Sequence, residues 1–214
     1  MTLLASRVKE VTVNRKEKAA ETESALKAAA KRVFARKGYL NTKITDITAE
    51  AGRAAGSFYN HFAGKEELLE ALLQDIAASG DESADSEDHL ADFSDPTAVR
   101  WHIRQYWTFY RENAATMLAL RQAAMVSESF ARTVAKFGAT QAADLDDHLA
   151  HITRAGLSLP ATPDRCGMLI YNLVDSFAAT WLHGSPPDWT PPTDEEAIEL
   201  LTRFVYRGLT GRDY

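Results

Sequence analysis

The stretch ITDITAEAGRAAGSFYNHFAGKEELL, residues 44–69, constrains the fold of this chain more than any other. Ile44, Ile47 and Ala51 fall at i, i+3 and i+7, which makes one apolar stripe on a two-turn helix. Gly52 follows at once, where the chain must turn sharply and a positive φ suits glycine. On the next short helix Ala54 or Ala55, Phe58 and Phe62 share a face that docks against the helix before it. Arg53, Ser57, Asn60 and His61 gather on the other side, with no obvious partner nearby.

Two short helices joined by a glycine turn are the form of a helix-turn-helix unit, whose second helix enters the major groove of DNA. Arg53 and Asn60 carry the side chains that contact guanine and adenine edges, and Ser57 and His61 can reach bases or phosphates. Lys65 opens the following helix, where its charge and free backbone N–H groups suit a phosphate. A solvated polar face on a small helical hairpin is the plainer alternative. Charge favours the first reading. Residues 1–65 hold 13 Lys and Arg against 6 Asp and Glu, in a chain whose net charge is −6. An anion-binding head on an acidic body follows from that asymmetry, unless it is chance clustering.

The rest of the chain keeps a period near 3.6 and shows no alternating strand, so the predicted fold class is all-α. Asn14 with Glu17 has capping-box spacing, and Leu26, Ala29/Ala30, Val33 and Phe34 give a first helix over 14–37 that Gly38 ends. Helices are expected at about 44–51, 54–62, Lys65 into the high 70s, 96–112, 114–126, 128–155, 163–183 and 194–209. Residues 80–95 are acidic and small and read as a solvated loop. Asp95 then Pro96 reads as a cap followed by proline at the first helical position. The expected division is a head over 1–64 and a body over 65–214. A single cysteine, Cys166, excludes an intramolecular disulfide. With no secretory or membrane-spanning run, a soluble cytoplasmic protein without membrane contact is expected.

Taken as a set, Phe34-xxx-Gly38, Ile44-Thr45-Asp46-Ile47, Ala51-Gly52, Gly56, Phe58-Tyr59-Asn60-His61-Phe62 and Lys65-Glu66-Glu67-Leu68 closely resemble the TetR family of bacterial transcriptional regulators. The resemblance covers roughly residues 20–75. It implies an N-terminal three-helix DNA-binding head and a variable C-terminal body that binds a small molecule and dimerises. It implies phosphate contacts from Thr42, Ser57, Tyr59, His61 and Lys65, and base-facing residues around Arg53, Ala54, Ala55, Gly56, Ser57 and Asn60; Lys43 joins this candidate set. Two departures stand out. Arg53-Ala54 replaces the family's usual Val-Ser, and Glu21 and Glu23 stand where a basic residue is common. The positive charges fall back to Arg15, Lys16 and Lys18, on either a DNA-tracking arm or an extended first helix.

In the body, aromatic and methionine side chains suggest an apolar effector pocket, with ordinary core as the alternative. Trp101, Trp107, Tyr110, Met125, Phe130 and Tyr171 are the candidates, with Asn172 and Asp175 as polar groups in an apolar run. The latter two orient a ligand, bond to neighbours or bond across a dimer. The resemblance implies a homodimer through the last two helices, with Ile198, Leu201, Val205 and Leu209 as its stripe, and release of a near-palindromic double-stranded operator by a small apolar or aromatic effector. No cofactor is implied. Asp144, His148 and His151 have metal-ligand spacing, which would suit a metal-dependent helical enzyme, but a solvated helix face explains them more simply, so no metal site is assigned. A nonspecific architectural DNA-binding protein is the other alternative, disfavoured by the acidic body.

Overall fold

A computed structural model describes residues 2–84, 88–184, 188, 190 and 193–213, with side chains described from Lys16 onward except over 79–84. Every regular element among the described residues is a helix. The order is α1 (Thr2–Lys37), α2 (Ile44–Glu50), α3 (Ala55–Phe58), α4 (Lys65–Ala84), α5 (Pro96–Glu112), α6 (Ala114–Val126), α7 (Glu128–Ala143), α8 (Asp146–Arg154), α9 (Pro163–His183) and α10 (Asp194–Thr210). No helix among these residues is long and apolar enough to cross a membrane.

In the head, Leu26, Ala29, Ala30, Val33 and Phe34 of α1 are buried, as are Ile47 of α2 and Phe58 of α3. Gly38 ends α1 at φ 70°, the left-handed position that glycine fills without a Cβ clash. At the end of α2 the Gly52 N–H donates to Ala49 O (3.1 Å) and the Arg53 N–H to Thr48 O (2.9 Å), a Schellman closure about Gly52 at φ 63°. The second helix of the pair is shorter than the expected 54–62. One α-turn, Ala55–Phe58, is followed by looser turns that carry the chain to Phe62. Gly56 has poor helix propensity, and burial of Phe58 and Phe62 holds the segment instead. α1 starts at Thr2 rather than at Asn14, so the proposed cap lies within a continuous helix and the extended-helix alternative is the one observed.

In the body, α5 packs against α9 and α10. Asp95 accepts from the Thr97 N–H at 2.8 Å and Pro96 stands at the first position, as the sequence indicated. The expected helix 128–155 is two helices. The His148 ring Nδ1 lies 3.1 Å from Asp144 O, the carbonyl that a continuous helix would pair with the His148 N–H. At the same point α9 comes so close that a Cβ on Gly167 would stand 2.5 Å from Ala142 O. Part of the acidic 80–95 segment is helix, as α4 runs to Ala84; residues 85–87 lie outside the described residues. Its end is anchored, with Phe93 1% exposed and the Ser94 N–H donating to Asp92 Oδ1 at 2.9 Å.

Candidate nucleic-acid interface and ligand cleft

The outer face of the helix pair presents Lys43, Ala54, Ala55, Gly56, Tyr59 and Asn60 to solvent, with Ser57 and His61 half-buried at its edge. Tyr59 is 62% exposed beside a fully buried Phe58, so a single step along the chain separates core from display. Gly56 adds no side chain to this face, and Ala54 and Ala55 add only methyls, which lets a backbone approach closely.

Salt links fix the pair to α1. Glu50 accepts from Arg32 (2.6 Å) and Arg36 (2.5 Å), and these two hydrogen bonds hold its carboxyl below the usual range. Asp46 accepts from Lys37 (2.8 Å) and from the Lys43 N–H (3.0 Å), capping α2. The Lys37 hydrogen bond, then the backbone one, likewise lowers the Asp46 carboxyl.

Three residues of the predicted set are placed otherwise than the resemblance implies. Thr42 is 2% exposed and its hydroxyl donates to Gly38 O at 2.7 Å, so it closes the α1–α2 turn. Lys65 Nζ donates to Tyr39 O (2.8 Å) and Thr42 O (2.6 Å) and lies 4.4 Å from the centroid of the Tyr39 ring. Burial lowers its ammonium pKa, and the side chain pins the same turn. Arg53 is held back on the protein, its Nη2 donating to Glu21 Oε1 at 2.9 Å. The two departures at Arg53 and Glu21 are therefore one feature: each is the other's partner. Gln122 of α6, which the sequence did not single out, ties head to body by accepting the Tyr39 N–H at 2.7 Å.

The body holds a cleft of about 1000 Å³ between α5, α7, α8 and α9. Trp101 and Tyr171 of the predicted set line it, together with Phe93, Tyr106, Phe109 and Phe137. Trp107, Tyr110 and Phe130 are buried at 1%, 0% and 4% exposure and do not line it. Met125 is 82% exposed, far from a pocket position. The pairing of Asn172 with Asp175 as buried polar groups does not hold. Asn172 is on the surface, its amide donating to Met168 O at 2.8 Å. Asp175 is half-buried but spoken for: it accepts from Tyr106 (2.8 Å) and pairs with Arg121. Burial raises the Tyr106 phenol strongly and pushes Tyr171 up to about 12, so both stay protonated donors next to the cleft. The link of Tyr106 and Arg121 through Asp175 went unnoticed because only the fold brings α5, α6 and α9 to one point.

At one end of the cleft stand His89, His102 and His148. The sequence grouping of Asp144, His148 and His151 is not assembled; His151 turns to Asp92, 3.8 Å away.

The fold and this display define a helix-turn-helix head on an all-helical body with an internal cleft. Residues 26–72 match the family of bacterial regulatory proteins, tetR family. The HTH-type transcriptional regulator TtgR of Pseudomonas putida is 39% identical over 78 residues, which cover 35% of this chain and 37% of that protein. The match thus spans little more than a third of the length of such relatives. A bacterial regulatory protein in the tetR family from Rhodococcus RHA1 shares the fold at TM-score 0.68 with 21% identity, covering 88% of this chain and 97% of that one. A TetR transcription regulator from Haloarcula marismortui does so at TM-score 0.66 with 15% identity, over 89% and 97%. Residues 26–72 are thus similar in sequence to the tetR family, and the overall fold is similar to solved structures of that family.

Proposed function

We propose that this protein is a ligand-responsive transcriptional regulator, a repressor by family default, that binds a near-palindromic double-stranded operator as a homodimer. The observation that carries the reading is the separation of faces on the helix pair: Phe58 and Phe62 buried, Lys43, Tyr59 and Asn60 displayed beside a backbone bare of large side chains. In this reading the head is residues 1–64, and the body from Lys65 answers an apolar or aromatic effector in the cleft. Lys43, Ser57, Tyr59 and His61 hold phosphates, while Ala54 to Gly56 and Asn60 face bases and Arg53 stays paired with Glu21 at their edge.

The dimer surface differs from the stripe first assigned to it. Ile198, Leu201, Val205 and Leu209 are each at most 4% exposed within the single chain, so they serve its own core. The other face of α10 leaves Leu200 51% and Phe204 65% exposed, and α9 leaves Leu169 66% and Met168 39%. Exposed apolar residues on the last two helices supply what a two-fold, self-complementary interface needs. The signal reaches the head through α4 and through Gln122, whose side chain holds the backbone where α1 ends. An effector releases the operator only if it binds the two body states with different affinity.

The test is fluorescence anisotropy on the DNA flanking the protein's own gene, against a scrambled duplex, at about 150 mM salt where nonspecific contacts are weakened. Preferential binding that Tyr59→Ala abolishes is expected. Equal affinity for both duplexes with a steep salt dependence would favour a nonspecific DNA-binding protein and overturn the reading.

A further inference from the structure

We propose that His89, His102 and His148 form a binding site for one divalent first-row transition-metal ion of the zinc class, at the end of the cleft. A ring nitrogen from each of the three lies within 4.8 Å of the others. His89 Nε2 stands 3.1 Å from His102 Nε2 and 2.9 Å from His148 Nε2. Zinc–imidazole bonds of about 2.0–2.1 Å in tetrahedral array set nitrogens roughly 3.3 Å apart, so a small outward shift admits an ion.

The hydrogen bonding shows why the cluster calls for a cation. His102 Nδ1 is 3.0 Å from Ala98 O and His148 Nδ1 is 3.1 Å from Asp144 O. A carbonyl oxygen only accepts, so both Nδ1 atoms carry protons and, in the neutral rings, both Nε2 atoms are bare lone pairs. His89 Nε2 can donate one proton to one of them at most. The second Nε2 then points its lone pair at a nitrogen with no further proton to give, an unsatisfied contact that a metal ion between the rings would turn into bonds. Backbone carbonyls on the outer nitrogens are also the usual device that fixes the tautomer and the ring plane of a metal-binding histidine.

The surroundings agree with that reading. Burial holds His102 down at about 4 and lowers His148, which keeps these imidazoles neutral at neutral pH. The rings of Phe93 and Trp101 lie 4.8 Å from that of His102, walling the site off from water on that side. Towards the cleft stand Asp144, Asp146 and Asp147, and Asp146 Oδ1 is buried with no hydrogen-bond partner. Neutral imidazole donors favour zinc, nickel, cobalt or copper over magnesium or calcium, which prefer oxygen. The three histidines come from the chain after α4, from α5 and from α8, so an ion would clamp the far end of α4 to the body.

The site does not depend on the regulator reading, because its test reads metal and not DNA. Untagged protein, stripped with chelator and dialysed, is titrated with Co2+ and then with competing Zn2+. The expected result is one equivalent of Co2+ per chain with the strong visible bands of low coordination number, bleached by Zn2+. His89→Gln, in a segment outside the helices, and His102→Gln each lose at least the roughly 10–100-fold in affinity that even an outer partner supplies. His151→Gln leaves the bands unchanged. Absence of the bands in the wild type, or their survival in both His89→Gln and His102→Gln, overturns the proposal; loss with His151→Gln alone would restore the helix-face grouping instead.

Discussion

The head and the body both pair charges at the surface, as Arg100 and Arg104 do with Glu195 in the body, but they differ in what lies beneath. In the head, Arg32, Arg36, Lys37 and Arg53 pair with acids at the surface, and the core beneath is hydrocarbon and aromatic. In the body, polar groups go inward: Asp175 with Tyr106 and Arg121, and three histidines around one point. A head built this way gains rigidity from packing, with surface pairs worth little each. A body built that way holds polar groups at the expense of stability. The two can be followed apart, because all four tryptophans lie beyond residue 100 and report on the body alone.

The largest break of the contrast is Phe58→Ala. Phe58 is fully buried in a four-residue helix with little propensity of its own, so its loss costs about 3–5 kcal/mol. DNA binding should vanish while tryptophan fluorescence keeps its native spectrum; a concerted loss of both would show that head and body are one cooperative unit. On the body's side Asp175→Ala leaves the Tyr106 hydroxyl and the Arg121 guanidinium without their shared acceptor. We expect about 1–3 kcal/mol, discounted for the part-exposed arginine, read as an earlier urea midpoint in tryptophan fluorescence. Gly167→Ala belongs in the same range, since its Cβ would meet the Ala142 carbonyl at 2.5 Å and backbone must move.

Acid separates the regions with a smaller effect. Glu50 and Asp46 have folded pKa values below their ordinary 4.5 and 3.8. The unfolded chain then binds more protons than the folded one as pH falls, so their contribution is present above about pH 4.5 and is lost as pH drops through the lowered values. The α1–α2 junction should loosen there, seen as faster amide exchange over residues 44–50, and Glu50→Gln should remove part of that pH dependence.

The head was legible because its information is local. Glycine at 38 and 52, the Ile44–Ile47–Ala51 stripe and Phe58 lie within one short window, and each has one structural use. Direction was not legible. Thr42 and Lys65 have side chains that suit a phosphate, yet both turn inward to satisfy backbone carbonyls. On α10 two apolar stripes run side by side, and periodicity cannot say which one faces the chain's own core. Ile198 and Leu201 do; Leu200 and Phe204 do not. The histidine site was hidden for a different reason. His89 and His148 are 59 residues apart and meet only through packing of α8 beside the chain that follows α4.

The smallest expected change in stability comes from Glu21→Gln, and it probes the head most sharply. The Glu21–Arg53 pair is open to solvent, with Arg53 34% and Glu21 71% exposed, so its removal should cost no more than about 1 kcal/mol and shift the melting point little. Its effect on DNA should be larger than its effect on folding. With Glu21 neutral, a repulsive charge leaves the reading face and Arg53 is freed to reach the duplex. Operator affinity should then rise, and if Arg53 takes a phosphate, log K should fall more steeply with log salt by about one unit of slope. If Arg53 takes a base instead, affinity rises with the slope nearly unchanged and the operator preference sharpens at one position. A fall in affinity would mean that Glu21 holds Arg53 in its productive pose, and that the acid is part of the reading surface rather than a brake on it.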